Sequence, residues 1–481
     1  MDGQTDTKSA EVVNEKTRQI LEKLYKSEAN DDTEHLASIL SEFRILTREK
    51  TIDADILDGR CVNLLVKLSR NYQTEAQKSI SNLLLNYVDI RNDFVTPYIE
   101  CVESRLKELS LAIDQLTGSG DAVGVLLIPN RTKSQICGSV YYDLRILFLL
   151  SALCLGSRAA IRERLIEPIL KVTTFEAKEL GPKNYHLVVE SLKTLFNLTM
   201  AKSYNTDTTA QLIKILFTYV GTEKDLECDP ESGDKLDPND QLLVNLIHLL
   251  TNMPEKVYHE LTDDDSDKIL EHLDIQLRTY NKNNFRDKVL PVLNVCANIC
   301  KYKDDVRRRW FKEVIGSTED FEKRPEECDT PRGRLVKLMT SVDFHIKEIA
   351  SEFLYALCGA DAEKLITYTG FGNSAGYLSN KGLLSKSKDQ SDPDSNGGTT
   401  DSDSDQKYNE IRHKIDPITG KLETAKSNPM AGMSEEEKEW HAHQLANAID
   451  KLSKIGVMKP MAINSKGEMS GLSPGAPPTD P

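Results

Sequence analysis

The glycines of "GFGNSAG", Gly370, Gly372 and Gly376, have a spacing that approaches that of a phosphate-binding loop. A dinucleotide-binding loop needs GxGxxG spacing, a strand before it and an acidic residue about 20 positions later. Here the spacing is GxGxxxG, a helical pattern ("IKEIASEFLYALCGADAEKLITY") precedes it, and GxxxxGK[ST] occurs nowhere. The glycines therefore predict a tight surface turn that leads into another short helix.

Other catalytic or metal-binding patterns lack the sequence context that they need. The spacing GxSxG occurs in "GNSAG", which follows a helical pattern, and in "GLSPG" of the C-terminal tail, whereas a nucleophile elbow follows a strand of an α/β sheet. HExxH does not occur, and the nine cysteines have no spacing typical of a zinc site or a disulfide framework. We expect reduced thiols that lie mostly in the core, and we expect His441 and His443 to lie on an exposed helix face. The sequence predicts no catalytic residue, no metal and no cofactor.

Asparagines recur in an apolar–x–Asn–apolar phrase near the ends of four helical segments. They are Asn82 in "ISNL", Asn197 in "LFNL", Asn252 in "LTNM" and Asn298 in "CANI". A side-chain amide offers both a donor and an acceptor, so a row of them on one face could hold the backbone of a bound peptide. Helix capping or a structural bond to the protein's own backbone explains the same residues equally well.

Basic residues cluster on two helical segments of a chain whose net charge is −15. Arg307 and Arg308 lie in "KYKDDVRRRWFK", and Arg334 and Lys337 lie in "RGRLVKLM". They are either solvated helix faces or a basic groove for an acidic or carboxylate-ended partner. The acidic balance of the whole chain disfavours nucleic acid as the main partner.

The elements that carry these residues are helices from about residue 10 to 365. Apolar residues recur at i, i+3, i+4 and i+7, and strand-type alternation is scarce. The gaps from Asn197 to Asn252 and on to Asn298 are near the ~40–47-residue period of armadillo and HEAT repeats. We therefore predict an all-α, armadillo/HEAT-like helical solenoid over residues 1–384.

No membrane or secretory segment is expected. The longest apolar run, "ILFLLSALCLG", is too short to span a bilayer and is typical of a buried helix. The polar N-terminal sequence has no secretory signal, so the prediction is a cytoplasmic protein.

The remainder of the chain changes in character. Residues 385–427 form an acidic segment that is predicted to be disordered, because it has too little apolar surface to offset its ordering entropy. Within it Ser391, Thr400 and Ser402 each have Asp three positions later, the pattern of a casein-kinase-2-type site; an unmodified, solvating linker is the alternative.

Residues 428–481 are predicted to hold one isolated amphipathic helix and a flexible tail. Ser434 and Glu437 make a capping box at the start of this helix. Leu445, Ile449 and Leu452 form an apolar stripe at helical spacing, and Trp440 precedes them.

Several unusual phrases of this chain resemble, in order, those of the synembryn proteins (resistance to inhibitors of cholinesterase). They are "YDLRILFLLSAL", "LKTLFNLT", "LVKLMT", "EFLYALC", "YTGFGNSAGYLSNKGLL", a Ser/Asp tract, "IDPITGKLE", "NPMAGMSEEEKE" and "IDKLSK". The resemblance covers most of the chain from about residue 60.

This resemblance implies a helical solenoid that binds GDP-bound or nucleotide-free α subunits of heterotrimeric G proteins. It implies a non-receptor guanine-nucleotide exchange factor and a folding chaperone, with no catalytic residues. The C-terminal helix of Gα would lie in the solenoid groove, with the family's peptide contacts falling on Asn82 and Arg70, while Trp440, Leu445, Ile449 and Leu452 of residues 428–481 would contact Gα.

The resemblance also implies phosphorylation of the acidic tract, a monomeric chain, and recruitment from the cytoplasm to the cell cortex or plasma membrane. It does not specify the class of Gα. A peptide-binding scaffold of the armadillo type, without exchange activity, is the alternative function.

Overall fold

The computed structural model describes most of the chain and divides it into two compact units, Met1–Lys421 and Leu422–Pro481. The described residues are 3–29, 33–118, 133–178, 182–201, 203–221, 238–279, 285–315, 323–383, 414–416, 418–419, 421–422, 430, 432–454, 461–463 and 469–471.

The first unit is built from helices. In chain order they are α1 (Gly3–Ala29), α2 (Thr33–Leu46), α3 (Gly59–Arg70), α4 (Thr74–Asn86), α5 (Arg91–Gly118), α6 (Lys133–Leu153), α7 (Ser157–Ala177), α8 (Pro182–Thr199), α9 (Thr206–Phe217), α10 (Pro238–Leu250), α11 (Glu255–Glu260), α12 (Asp263–Thr279), α13 (Phe285–Lys288), α14 (Leu290–Tyr302), α15 (Asp304–Ile315), α16 (Pro331–Met339), α17 (Phe344–Leu357), α18 (Ala362–Thr369) and α19 (Phe371–Asn380). Short 3₁₀ turns lie at Ala54–Ile56 and Pro325–Glu327, and two-residue strands at β1 (Ile415–Asp416) and β2 (Lys421–Leu422).

Most of these helices stack in two layers. Layer A consists of α2, α4, α6, α8, α10, α14 and α17, each packed on the next; layer B consists of α3, α5, α7, α9 and α11 in the same manner. Each layer joins helices that are not consecutive in sequence, as expected for a stack of helical repeats. The predicted all-α solenoid is confirmed.

Helix α6 is a long, apolar element of the stack. Its segment Gln135–Leu153 is long and apolar enough to cross a membrane by composition alone, and 56% of that segment is buried in the protein. It packs on α4 and α8 within layer A and on α5 and α7 of layer B. These contacts make it a core helix of the repeat stack.

The predicted turn of the glycine-rich stretch lies at Gly370, between α18 and α19. Gly370 ends α18 and begins α19 with φ +81°, a left-handed conformation that favours glycine, and its N–H donates to Ile366 O at 2.7 Å. Gly370 therefore makes the predicted tight turn into a short helix, but it is buried and not at the surface, and Gly372 and Gly376 lie within α19.

The second unit contains the predicted amphipathic helix, here α20 (Glu435–Lys454). Ser434 Oγ accepts from Glu437 N at 3.2 Å and Glu437 Oε2 accepts from Ser434 N at 3.0 Å, which confirms the capping box. The same unit holds an antiparallel pair of strands, β3 (Met461–Ile463) and β4 (Met469–Gly471), in which Ala462 faces Ser470.

The thiols of the described residues carry no disulfide. Six of them are buried: Cys61, Cys101, Cys154, Cys296, Cys300 and Cys358. Burial raises the pKa of Cys61, with a smaller contribution from Asp58, and that of Cys358, each to about 12. These thiols are core side chains, as expected from the sequence.

Candidate partner-binding site

The amide of Asn82 connects two successive helices of layer A. Its Nδ2 donates to Arg44 O at 3.3 Å and to Thr47 Oγ1 at 3.2 Å, both at the end of α2. The Thr47 hydroxyl itself donates to Arg44 O at 2.8 Å. Asn82 thus donates hydrogen bonds to a backbone carbonyl and a hydroxyl at the C-terminal end of α2, where carbonyl groups have no partner within the helix.

Asn252 repeats this arrangement three helices further along the layer. Its Nδ2 donates to Phe196 O at 2.8 Å and to Thr199 Oγ1 at 3.2 Å at the end of α8. Asn197 in turn donates to Ser151 Oγ of α6 at 3.0 Å, and the Ser151 hydroxyl donates to Phe148 O. Each amide binds the end of the preceding helix of layer A.

Asn298 makes the same connection through an intermediate hydroxyl. Its Nδ2 donates to Tyr258 OH at 3.0 Å, and that hydroxyl donates to Leu250 O, at the end of α10, at 2.7 Å. We call these four connections, made by Asn82, Asn197, Asn252 and Asn298, the asparagine ladder. It runs along layer A as an internal, structural feature of the repeat stack.

The ladder limits what its amides can offer to a partner. Asn197 is only 6% exposed, and the donor groups of all four amides are directed to groups of the protein itself. At Asn82, which is half-buried, the acceptor Oδ1 is left without a hydrogen bond among the described residues. Asn82 can therefore accept a bond from a bound chain while its donor holds α2.

A pocket of about 300 Å³ opens beside Asn82 on layer A. Its side chains come from α2, α4 and α6 and from Arg48, which follows the end of α2. They are Arg44, Arg48, Lys78, Ser81, Asn82, Leu85, Tyr141, Tyr142 and Arg145. We call it the basic pocket, because four of these residues are cationic and none of them is a carboxylate. Such a pocket suits a carboxylate or another anionic group with a small apolar neighbour.

Neighbouring carboxylates hold most of the cations of the basic pocket in place. Glu75 pairs with Arg44 at 2.7 Å and with Lys78 at 3.0 Å. Arg145 Nη1 lies 3.9 Å from Glu190 and donates to Tyr141 OH at 3.2 Å.

Arg48 differs from the other cations of the basic pocket. It is exposed and has no ion pair among the described residues. It is therefore the cation of this pocket best able to pair with an incoming anion.

Beneath the basic pocket, the contact between α4 and α6 contains a buried polar cluster. Gln77 Nε2 and Tyr98 OH donate to Asp143 Oδ1 at 2.6 Å and 2.8 Å, and Arg105 pairs with Asp143 Oδ2. Gln77 also donates to Ser139 O at 2.9 Å. Burial lowers the pKa of Arg105, but Asp143 together with Tyr98, Cys101 and Tyr72 more than compensates, so that the pKa of Arg105 lies above its usual value and the guanidinium stays charged.

The remaining basic residues singled out from the sequence lie elsewhere. Arg70 is exposed at the end of α3 in layer B, near Cys101 of α5, and does not line the basic pocket. Arg307 and Arg308 of α15 both pair with Asp304. These side chains are not brought together with Asn82.

On α16 the two predicted basic residues differ from each other. Arg334 pairs with Asp274 at 2.9 Å and with Asp329 at 2.7 Å, whereas Lys337 is exposed. A partner site on α15 and α16 stays a prediction.

Helix α20 presents its apolar stripe without burying it. Trp440 is 58%, Leu445 63% and Ile449 38% exposed, and Leu452 is half-buried. The candidate phosphorylation sites Ser391, Thr400 and Ser402, like most of the acidic segment 385–427, lie outside the described residues. No group of three His, Cys, Asp or Glu side chains placed to hold a metal occurs in the part of the chain that the structure describes.

Sequence reasoning missed most of the basic pocket, although a spacing signal exists. Lys78 and Asn82 are four residues apart on one helix face, as are Tyr141 and Arg145, and Arg48 follows Arg44 by the same spacing just beyond the end of α2. Three polar pairs at this spacing on successive helices of one layer would have indicated a shared polar face.

The fold and the pocket define the class as an all-α helical-repeat protein with a cation-lined surface pocket. Residues 39–468 match the family model described as guanine nucleotide exchange factor synembryn. The match spans most of the chain, and the protein belongs to this family.

Similar proteins agree with this assignment. "Chaperone Ric-8A" of Xenopus tropicalis is 31% identical over 387 residues, which cover 73% of this chain and 69% of that protein. "Chaperone Ric-8A" of Bos taurus is 31% identical over 69% of this chain and 66% of its own length.

Among solved structures, "Crystal structure of Kap121p" matches 75% of this chain and 31% of its own, with 10% identity and a TM-score of 0.27.

Proposed function

We propose that this protein is a guanine-nucleotide exchange factor and folding chaperone for the α subunits of heterotrimeric G proteins. The observation that carries the proposal is the family match over residues 39–468, whose description names nucleotide exchange. The name of the similar Xenopus protein adds the chaperone role. The activity is one of differential binding and needs no catalytic residue.

The basic pocket is the proposed binding site for the C-terminal end of Gα. Arg48 would pair with a carboxylate, and Asn82 Oδ1 would accept a backbone N–H of the bound helix. The cationic lining, which includes Lys78, supports this assignment. Withdrawing that helix from the rest of Gα would remove a support of its guanine site.

Linkage connects this binding to nucleotide release. A partner that prefers nucleotide-free Gα must weaken nucleotide binding by the same factor by which nucleotide weakens its own binding. The same preference, acting on newly made Gα, stabilises a marginally folded form by mass action. One binding preference therefore accounts for both proposed roles.

Helix α20 is the proposed second anchor. Trp440, Leu445 and Ile449 are exposed on it, and a Gα surface that covered them would bury apolar area. Deleting the chain from residue 427 onward should then reduce nucleotide exchange more than it reduces binding of a Gα C-terminal peptide. Equal loss of both would contradict two separate anchors.

The decisive experiment is the release of labelled GDP from purified Gα subunits of several classes, with and without the protein. Faster release is expected for at least one class, and co-expression should raise the yield of folded Gα. Binding to the Gα C-terminal peptide without faster release and without a higher yield would leave the alternative, an armadillo-type peptide-binding scaffold.

Further properties belong to the same proposal. We expect a monomer that is cytoplasmic and is recruited to the cell cortex or plasma membrane, with Ser391, Thr400 or Ser402 phosphorylated by a casein-kinase-2-type enzyme. Imaging of a fluorescent fusion and mass spectrometry of the protein from cells test these points. The proposed domain limits at residues 384 and 427 can be tested by limited proteolysis.

A further inference from the structure

The α4–α6 junction of layer A is held differently from the four junctions of the asparagine ladder. The asparagine ladder joins α2 to α4, α6 to α8, α8 to α10 and α10 to α14. Helix α6 contains no asparagine, so no such connection joins α4 to α6. In its place Gln77 of α4 bonds to Asp143 and to Ser139 O of α6.

Residues of this α4–α6 junction supply most of the lining of the basic pocket. Gln77 precedes Lys78 in α4, and Asp143 follows Tyr142 in α6, so each buried partner is adjacent in sequence to a pocket residue. Within the pocket, Lys78 Nζ lies over the ring of Tyr142, 5.5 Å from the ring centroid. The two helices are therefore fixed relative to each other both below and within the pocket.

The buried side of the junction has little freedom. Gln77 and Asp143 have no exposed surface, and Arg105 is 4% exposed. Asp143 accepts bonds from Gln77, Tyr98 and Arg105, so that donors from two other helices set its position. A cluster of this kind holds its members in one arrangement, because any displacement leaves a buried polar group unpaired.

We propose that Gln77 is a positioning residue for the basic pocket: its bond to Asp143 sets the spacing of α4 and α6 at which Lys78, Asn82 and Tyr142 meet a bound partner. The inference rests on the proposed function, because it takes the basic pocket as the partner site. Asp143, with Arg105 and Tyr98 behind it, is the fixed point to which Gln77 connects α4.

The test compares affinity with stability in the full-length chain. Gln77→Leu keeps the side chain's approximate volume and removes its bonds, and Gln77→Met serves if that variant does not fold. The measured quantity is the dissociation constant of a fluorescent peptide copying the Gα C-terminal helix, at a temperature where every variant is fully folded. Tyr377→Phe is the matched control. It removes the hydrogen bond that Tyr377 OH donates to Glu352, at a position far from α4 and α6 in the sequence.

The expected result is a roughly fivefold weaker peptide affinity for Gln77→Leu, the size of one lost positioning bond, with no change for Tyr377→Phe. A residue that only stabilises the fold would lower the melting temperature and leave the affinity of the folded protein unchanged. Unchanged affinity for the Gln77 variants, while Lys78→Ala and Asn82→Ala weaken binding, would overturn the inference and leave the proposed function standing.

A double-mutant cycle adds a second criterion. If Gln77 acts through the arrangement of Lys78 and Tyr142, Gln77→Leu should have little further effect on affinity in a Tyr142→Leu background. Fully additive effects would overturn the inference. If Lys78→Ala, Asn82→Ala and Tyr142→Leu all leave peptide affinity unchanged, the assignment of the pocket fails and the inference fails with it.

Discussion

The amides of the asparagine ladder show how one residue type can serve the fold and the site together. Asn252 uses its donor on the backbone of α8, and Asn82 uses its donor on α2 while it also lines the basic pocket. An alanine at either position removes a bond to a helix end that has few other partners. Loss of binding at Asn82 must therefore be separated from loss of stability.

Asn252→Ala should lower the free energy of unfolding by about 1–2 kcal/mol, because Phe196 O and Thr199 Oγ1 lose their donor. Denaturant unfolding followed by circular dichroism measures this change. Asn245→Ala, in α10 shortly before Asn252, is the control, since that amide bonds only within α10, to Gln241 O. Equal effects of the two substitutions would contradict a role for the ladder between repeats.

Gly333 is a second position where a single residue decides the local structure. A Cβ at this residue of α16 would overlap Cys328 O and lie 2.7 Å from Pro325 O, both backbone atoms of the preceding turn. Gly333→Ala should cost about 3 kcal/mol or prevent folding. Gly59→Ala, where nothing lies within 4 Å, should leave the melting temperature unchanged or raise it slightly.

At the scale of elements, α20 stands apart because none of its side chains is buried. Short isolated helices are marginal in water, so its apolar stripe has its main use in contact with a partner. The capping box at Ser434 favours the helix before any such contact is made.

Leu445→Ser should leave thermal unfolding of the protein unchanged, because Leu445 is exposed, and should reduce Gα-dependent GDP release several-fold by removing apolar contact area. Asn447→Ser, on the opposite face of the same helix, is the control for helix propensity. A melting temperature lowered by Leu445→Ser alone would indicate that the stripe is packed within the protein.

The elements were predictable from sequence to different degrees. Apolar periodicity is local, so the helical stack, the turn at Gly370 and the capping box of α20 all follow from neighbouring residues. The partners of the ladder do not, because Thr47 is 35 residues from Asn82 and Ser151 is 46 residues from Asn197. Only the stacking of repeats brings such pairs together.

The candidate site was harder to predict for the same reason. Arg44 and Lys78 meet through Glu75, and Tyr142 joins them from α6 across a long stretch of sequence. The cluster at Arg307 and Arg334 is conspicuous in sequence, but distant aspartates such as Asp274 neutralise part of it. Charge clusters in a linear sequence do not reveal which carboxylates fold against them.

At the scale of the whole molecule, ion pairs connect helices along the stack and make stability depend on pH. Bonds from Lys107 and Arg164 lower the pKa of Glu103, and bonds from Arg309 lower the pKa of Asp263. Arg286 lowers the pKa of Asp343 in the same way. A carboxylate whose pKa is lower in the folded state stabilises the fold above its unfolded pKa and loses that contribution as pH falls through the folded value.

The melting temperature should therefore fall as the pH is lowered from about 5 to about 3, the range in which these carboxylates take up protons. Thermal unfolding across this range measures the effect, and added salt should weaken it because the pairs are exposed. Arg164→Met should make the pH dependence shallower. A melting temperature that stays constant down to pH 3 would contradict a contribution from these pairs.

The reactivity of the buried thiols reports local unfolding of the helical stack. Cys61 lies near one end of the stack, Cys296 and Cys300 lie further along, and Cys358 lies near its last helices. A thiol that is buried and protonated reacts with an alkylating reagent only while its surroundings are open. The order in which these cysteines become labelled would therefore show which repeats open first, and a bound partner that closes one stretch of the stack would delay labelling there alone.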